Sequence, residues 1–255
     1  MPALFDAHCH LQDPRIAADV EGMLRRAKAA GVTYLVCCGT EPADWVRVLQ
    51  LAKRFPQVIP MIGLHPWRAA AAPTGWAVLL RQLARAHRVG IGECGLDFAI
   101  PGDRASQEEA FRQHLRLARE LNRPVALHCV KAWERFVTVL REEGLPEAGG
   151  LVHSYSGSAE TAALLQDLGL HLSFSGSVVR PGNRKAPLIL PQVRAERLLV
   201  ESDAPDQATG GVGLNEPARI TAVIQAVARF REESETQVME TASANGERLF
   251  KEWIA

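Results

Sequence analysis

The chain has 255 residues, 47% of them apolar and 23% charged, which is enough for one large globular domain with a full core. Lys plus Arg and Asp plus Glu each number 29, so the formal net charge is zero and a broad cationic face for nucleic acid is excluded, leaving at most a local basic rim. The N-terminal MPALFDAHCHLQDP lacks a positive segment followed by an apolar run, and nothing approaches the roughly 18 uninterrupted apolar residues of a membrane span, so a cytoplasmic location is expected.

Taken in chain order, short β-branched or apolar runs alternate with longer stretches of helical period. The runs predict strands at 4–9, 33–39, 58–64, 89–93, 125–129, 151–154, 171–175 and 198–202. Helices are predicted near 17–30, 42–54, 75–87, 106–121, 132–143, 159–168, 185–194 and 215–231, with a last one near 235–252. Such alternation implies parallel pairing, and eight repeats in this length predict an α/β fold, a (β/α)8 TIM barrel with an additional C-terminal helix, as one domain over 1–255. Within this frame Ser106 and Glu109 read as a capping box, Asn122 as the left-handed stop of that helix, and PDQATGGVG at 205–213 as the one flexible stretch. Cys9, Cys37, Cys38, Cys94 and Cys129 make an odd count with neither zinc-knuckle nor disulfide spacing, so reduced structural thiols are expected.

Chemistry concentrates at the strand ends. Strand side chains alternate faces, so in His8-Cys9-His10 both imidazoles point to the barrel axis while Cys9 points to the helices. The same parity sends Glu93 and His128 inward and Cys94 and Cys129 outward. With His153 and Asp203, six potential ligands from five strands converge at the carboxyl-end mouth, where barrel enzymes carry their catalytic groups. A cluster of imidazoles and carboxylates is costly to bury unless a cation sits among them, so two divalent metal ions are expected. Glu93, central among the six, is suited to bridge them, acidifying a shared water to hydroxide. Asp203 is then the proton acceptor, and Glu201, one layer deeper on the same strand face, supports the ligands. His87 and His114 read as polar helix positions and His171 as a strand start, while His65 ends the third strand at the same rim as a contact to substrate or ligands.

The ordered motifs DAHCHLQD, GLHPW, GIGECGLDF, QEEAFRQHLRLARELNRPVALH, VHSYSGS, LSFSGSV, LLVESDAP, NEPARI and ANGERLF run through essentially the whole chain. As a set they resemble the TatD-type metal-dependent deoxyribonucleases, a branch near the amidohydrolases. The resemblance implies a divalent-metal phosphodiester hydrolase acting on DNA ends. It implies that His8, His10, Glu93 and Asp203 bind one metal and Glu93, His128 and His153 the other, with zinc, manganese or magnesium as candidate ions. Three positions depart from the family pattern: Asp206 stands where an aromatic residue follows ESDAP, Leu214 replaces an Arg before NEP, and the basic residue behind the fifth-strand His is displaced to Lys131.

Substrate contacts are expected from His65, Trp67, Lys131, Arg180, Arg184 and Asp206, with Arg68, Lys185 and Trp133 as further loop candidates; the Asp206 carboxylate is expected to repel a polyanion. The partner implied is DNA or another phosphodiester, and no obligate protein partner is evident. A small-molecule amide, ester or lactone hydrolase remains the alternative, because the same nucleophile attacks carbonyl carbon. A non-enzymatic metal-dependent binding module is a second alternative, against which stands the survival of all six ligands.

Overall fold

Eight strands, β1 (Leu4–Cys9), β2 (Val32–Cys38), β3 (Val58–Ile62), β4 (Gly90–Asp97), β5 (Val125–Val130), β6 (Gly150–Val152), β7 (His171–Phe174) and β8 (Leu198–Val200), pair in parallel in sequence order in the computed structural model, which describes residues 3–209 and 213–254. The seam between β8 and β1 closes through Asp203 N–H to the His8 carbonyl at 3.0 Å and His10 N–H to the Ala204 carbonyl at 2.7 Å. Buried Asp6 reinforces it, accepting the Ser202 N–H at 2.8 Å and hydroxyl at 2.6 Å. The result is the expected (β/α)8 barrel.

Helices α1 (Val20–Ala29), α2 (Pro42–Arg54), α3 (Trp76–Ala86), α4 (Arg104–Leu121), α5 (Trp133–Glu143), α6 (Ala159–Asp167), α7 (Ala186–Ile189) and α8 (Ile220–Arg231) alternate with the strands, and α9 (Glu235–Leu249) is the additional C-terminal one. The expected 185–194 helix is only one turn long, because Pro191 has no N–H to extend it and the chain tightens into a 3-10 turn at Leu190–Gln192. The capping box at Ser106 is also corrected. The helix starts at Arg104 under Asp103, whose carboxylate accepts the Ala105 N–H at 2.9 Å and the Ser106 hydroxyl at 2.6 Å, so Ser106 lies inside the first turn. Asn122 takes the expected left-handed stop, with φ 47°. No helix among the described residues is long and apolar enough to cross a membrane.

Two apolar layers fix where polar groups can go. The larger one, between sheet and helices, holds Cys9, Cys94 and Cys129 beside Leu24, Leu80 and Phe111. The smaller fills the barrel below the mouth with Phe5, Ala7, Val36, Cys38, Ile59, Met61, Ala126, Leu151 and Leu199. Phe250, just after α9, stacks on Phe5 at 5.8 Å and closes that layer from beneath. All five cysteines are buried free thiols, as expected.

Simple alternation is interrupted where it matters. Between Asp6 and Cys9, three steps of β1 oppose two of β2, and between Ile91 and Cys94 three steps of β4 oppose two of β5. These bulges reset the parity, so Ala7 and His8 both turn inward and Glu93 meets the axis. Gly92 and Gly95 allow the close approach of β4 to β5: a Cβ there would stand 2.4 Å from the Ala126 carbonyl oxygen and 2.0 Å from that of His128. Both have φ near +140° (139° and 144°), open only to glycine. β4 consequently runs four residues past Glu93, to Asp97, rather than ending at 93.

Part of the stretch expected to be flexible is pinned. Pro205 C=O accepts the Asn215 N–H at 2.8 Å and Asp206 N–H donates to Asp203 C=O at 2.8 Å, while residues 210–212 lie outside the described residues.

Candidate metal centre

The six expected ligands meet above the inner apolar layer, and Glu93 divides them into two groups. Its Oε2 lies 3.3 Å from His8 Nε2 and 3.4 Å from His10 Nε2. Asp203 Oδ1 stands behind that pair, 3.6 Å from His10 Nε2 and 3.9 Å from His8 Nε2. Glu93 Oε1 lies 2.9 Å from both His128 Nδ1 and His153 Nε2. His65 joins this second group, with Nε2 3.2 Å from Oε1, so the third-strand histidine belongs to the cluster itself. The rings of His8 and His153 stack at 4.1 Å, tying the two groups together.

The donor set fits divalent cations. Neighbouring donor atoms are 3.0 Å apart between His128 and His153, 3.3 Å between His8 and His10, and 3.4 Å between His65 and His128. A tetrahedral ion with metal–nitrogen distances of about 2.0–2.1 Å spans donor edges of about 3.3 Å. Three triplets have their donor atoms mutually close: His8 with Glu93 and His153, His8 with His10 and Asp203, and His65 with Glu93 and His128.

Electrostatics of the protein alone point the same way. Burial works to raise Glu93, yet His153, His65 and His8, with the hydrogen bond from His128, hold it well below the usual carboxylate range. Asp203, although buried, is held down at about 2 by His10, His153 and His8. Burial opposes protonation of His10, but Asp203 and Glu93 push it up to about 9, and Glu93 with Glu201 raises His153 well above its ordinary value. Burial wins at His8 and His65, which are lowered, His65 to about 4. Ionised carboxylates therefore face imidazoles whose protons a cation would displace.

Each imidazole is also held from behind. His10 Nδ1 lies 2.8 Å from the Cys38 carbonyl, which also accepts the Gln12 amide, and His8 Nδ1 lies 3.3 Å from Cys38 Sγ. His128 Nε2 lies 3.4 Å from Asp97 Oδ2, and His153 Nδ1 lies 3.3 Å from Glu201 Oε1, which takes the Ser154 N–H at 2.8 Å. Glu201 thus stands where the strand parity put it. Asp203 Oδ2 accepts the Gln207 amide at 2.8 Å, leaving Oδ1 toward the histidines.

The expected substrate residues scatter around the mouth. Trp67 is 59% exposed, with its indole N–H donated to Asp97 at 2.6 Å and its ring edge-on to His65. Lys131, Arg180 and Arg184 are exposed on the loops after β5 and β7, Arg68 lies 3.5 Å from Glu41, and Lys185 donates to the Ser156 carbonyl at 2.7 Å. Trp133 instead packs edge-on against Tyr155 and Phe136. Asp206 is not the free carboxylate expected: both of its oxygens pair with Arg15, at 2.9 and 2.7 Å, and Arg15 is also held by Asp13. His114 is corrected too. It lies on the buried stripe of α4, bridging the Ala110 carbonyl at 2.6 Å and the Leu64 N–H at 2.9 Å, so it anchors the turn that carries His65. His87 is exposed and His171 starts β7, as expected.

Comparison with known proteins agrees with this geometry. The family described as TatD related DNase matches residues 5–251. An uncharacterised metal-dependent hydrolase, YabD of Bacillus subtilis, is 31% identical over 97% of this chain and 99% of its own length. The 3′-5′ ssDNA/RNA exonuclease TatD of Escherichia fergusonii is 34% identical over 97% of this chain and 98% of its own. Among solved structures, the TatD homolog YJJV of Escherichia coli superposes with a TM-score of 0.91 at 29% identity, covering 97% of this chain and 98% of that one.

Proposed function

The chain belongs to the TatD related DNase family, a family of metal-dependent hydrolases acting on ester bonds, and from that premise we propose that it holds two divalent cations and cuts phosphodiesters at the ends of single-stranded nucleic acid. In this reading His8, His10 and Asp203 hold one cation, His128 and His153 the other with His65 beside them, and Glu93 is shared. The observation that carries it is the division of Glu93, one oxygen to each group of histidines. When bound, the cations supply an acidified water and neutralise charge on the scissile phosphate. Imidazole donors with carboxylates suit zinc or manganese better than magnesium, which prefers oxygen ligands.

The chain's own groups do the rest. Asp203, ionised and steadied through Oδ2 by Gln207, offers Oδ1 as the acceptor for the attacking water's proton. Asp97 and Glu201 fix the imidazole orientations of His128 and His153. Trp67 presents an exposed indole at the mouth with its N–H already satisfied, which supports stacking of a terminal base. The exposed Lys131, Arg180 and Arg184 give a local cationic rim for phosphate on a chain of zero net charge.

The test is a substrate panel on chelated protein restored with zinc, manganese or magnesium. Single-stranded DNA, RNA and duplex ends are compared with small esters, lactones and amides. Metal-dependent release of mononucleotides from single-stranded ends is expected. Turnover of the small esters alone would overturn the nucleic-acid reading and leave the metal centre intact.

A further inference from the structure

Behind Asp203 the loops after β6, β7 and β8 bring together three uncharged side chains, Ser154, Ser175 and Gln207. Ser175 is fully buried, and Ser154 and Gln207 are half-buried at the mouth. Their hydrogen bonds form a closed circuit. Gln207 Nε2 reaches both Asp203 Oδ2 at 2.8 Å and Ser154 Oγ at 2.6 Å. Ser154 Oγ lies 2.8 Å from Ser175 Oγ, which lies 2.9 Å from Gln207 Oε1.

The direction of the circuit follows from counting protons. As a carboxylate Asp203 only accepts, so the Gln207 amide must turn its NH2 toward Oδ2 and its Oε1 away. Oε1 then takes the one proton of Ser175. Ser175 has only lone pairs left to offer, so Ser154 must donate to it, and the second Gln207 N–H closes the circuit on Ser154 Oγ. Flipping the amide would set Oε1 against Oδ2, two acceptors face to face, and would break the bonds to both serines. The circuit therefore runs one way, and each of its members prevents the amide from turning.

The backbone is shaped to hold it. Ser154, Asp203 and Gln207 all have left-handed backbone, with φ of 43°, 55° and 52°. Among the described residues only three other non-glycine residues do, and two of these, Asn122 and Glu232, simply stop helices. Left-handed backbone is costly for such residues and gathers where a site needs it. A Cβ at Gly176 would stand 1.9 Å from the Gln207 carbonyl oxygen, so the missing side chain lets the turn after β8 lie against the end of β7. Glu201 Oε1 accepts the Ser154 N–H at 2.8 Å and fixes the third loop.

We infer that Ser154, Ser175 and Gln207 are positioning residues, a one-way hydrogen-bonded ring that holds Asp203 by Oδ2 and leaves Oδ1 alone to face His8 and His10. The inference rests on the reading of His8, His10 and Asp203 as ligands of one cation, which Asp203 then meets through a single oxygen. Ser154 and Ser175 act only through Gln207: neither hydroxyl bonds to Asp203 among the described residues.

The test uses the full chain and two readouts. In the metal-free, 15N-labelled protein, proton exchange of the Gln207 side-chain amide should be at least about tenfold slower than that of exposed Gln50, and Ser175→Ala should abolish the difference. In titrations with cobalt(II), Gln207→Leu should weaken the ion on the Oε2 side by about 10–100-fold and change its visible spectrum as Asp203 turns. The ion on the Oε1 side should stay in place, which shows that the variant is folded. Ser175→Ala alone should weaken the Oε2-side ion by about tenfold and add nothing in the Gln207→Leu background, because its effect passes through the amide. If Gln207→Leu does not fold, Ser154→Ala with Ser175→Ala carries the test, since breaking the ring twice should cost no more than breaking it once. An amide exchanging as fast as that of Gln50, losses that add in the double variants, or cobalt binding unchanged by Gln207→Leu would overturn the proposal. A natural chain with a protected Gln207 amide that binds no cobalt would sustain the ring and overturn the cation reading instead.

Discussion

The two halves of the centre share Glu93 and differ in what stands behind their histidines. On the Oε1 side carboxylates do so, Asp97 behind His128 and Glu201 behind His153. On the Oε2 side the partners are neutral, the Cys38 carbonyl for His10 and the Cys38 thiol for His8. A carboxylate behind an imidazole raises its basicity and its strength as a ligand. The contrast teaches that a centre can look symmetrical around one shared carboxylate and still be graded; under the two-cation reading proposed above, it predicts a tight cation on the Oε1 side and a labile one on the other. The rims differ as well: Trp67, pinned by Asp97, overhangs the Oε1 side, while the Asp13–Arg15–Asp206 cluster sits with the loops after β1 and β8.

The largest expected effect comes from removing what the halves share. Glu93→Ala should lower bound metal to at most one ion per chain and turnover by more than about 10³-fold, the loss of several kcal/mol of charge stabilisation. Metal content by elemental analysis beside single-turnover rates checks it. Two ions retained would mean that the halves are independent and Glu93 is not a bridge.

Next come the groups behind the histidines. Asp97→Asn or Glu201→Gln should weaken the tighter ion by about 10–100-fold, read by competition with a chromogenic chelator, and leave the weaker ion unchanged. Cys38→Ala should move only the weaker ion, by less than about tenfold. Equal losses from all three substitutions would erase the grading. Proton counts sharpen the same contrast. Asp203 and Glu93 raise His10 to about 9 against the effect of burial, so it is protonated at neutral pH in the metal-free chain and must lose that proton to bind, and Glu93 with Glu201 shifts His153 in the same direction. His8, already lowered, has none to lose there. Apparent affinity should therefore climb by about tenfold per pH unit per displaced proton between about pH 7 and 9, checked by metal titrations in buffers of different ionisation heat. An affinity that is flat over this range would show that the imidazoles are neutral before metal arrives.

Sequence made the candidate ligands legible because they obey short-range rules. H-x-H places two imidazoles on one side, and strand-end positions bring Glu93, His128, His153 and Asp203 to one mouth. What surrounds them was less legible, since it depends on departures from those rules. Asp97 acts because a bulge carries β4 past Glu93; its four-residue spacing in Glu93-Cys94-Gly95-Leu96-Asp97, an even number of strand steps, was the available signal. Gln207 reaches Asp203 through a turn in which both residues have positive φ, and nothing in the local composition announces that. Arg15 meets Asp206 across 191 residues of chain, a pairing that closure of the barrel alone creates. His114 looked polar by type, although its place in the stripe of Ala110, Phe111, Leu115 and Ala118 marked it as buried.

On the Oε1 rim, Trp67→Ala should raise KM for single-stranded oligonucleotides by about 5–100-fold, the range of one lost base stack, with kcat nearly unchanged. Trp67→Phe tests the second function of the ring, because it keeps a stacking face and removes the N–H that Asp97 accepts. Recovery of KM with a weakened tight ion would show that Asp97 depends on the indole. Full recovery of both would confine Trp67 to substrate.

The smallest effect is expected on the opposite rim, at Asp206. Its carboxylate is paired with Arg15, and with Asp13 the cluster carries two negative charges against one positive. Asp206 is 53% exposed in its side chain, so solvent screens whatever repulsion survives. Asp206→Asn leaves a hydrogen-bonding partner for Arg15 while balancing the cluster to zero charge. It should raise kcat/KM for oligonucleotides by about two- to fivefold at low salt, as expected for about 1 kcal/mol between partly screened charges, and the gain should vanish at high salt. Small neutral esters should be unaffected. Asp206→Trp, which restores the aromatic residue of the family pattern, should exceed Asp206→Asn only if a base stacks on this rim as well; equal effects would confine stacking to Trp67 and complete the contrast between the two sides.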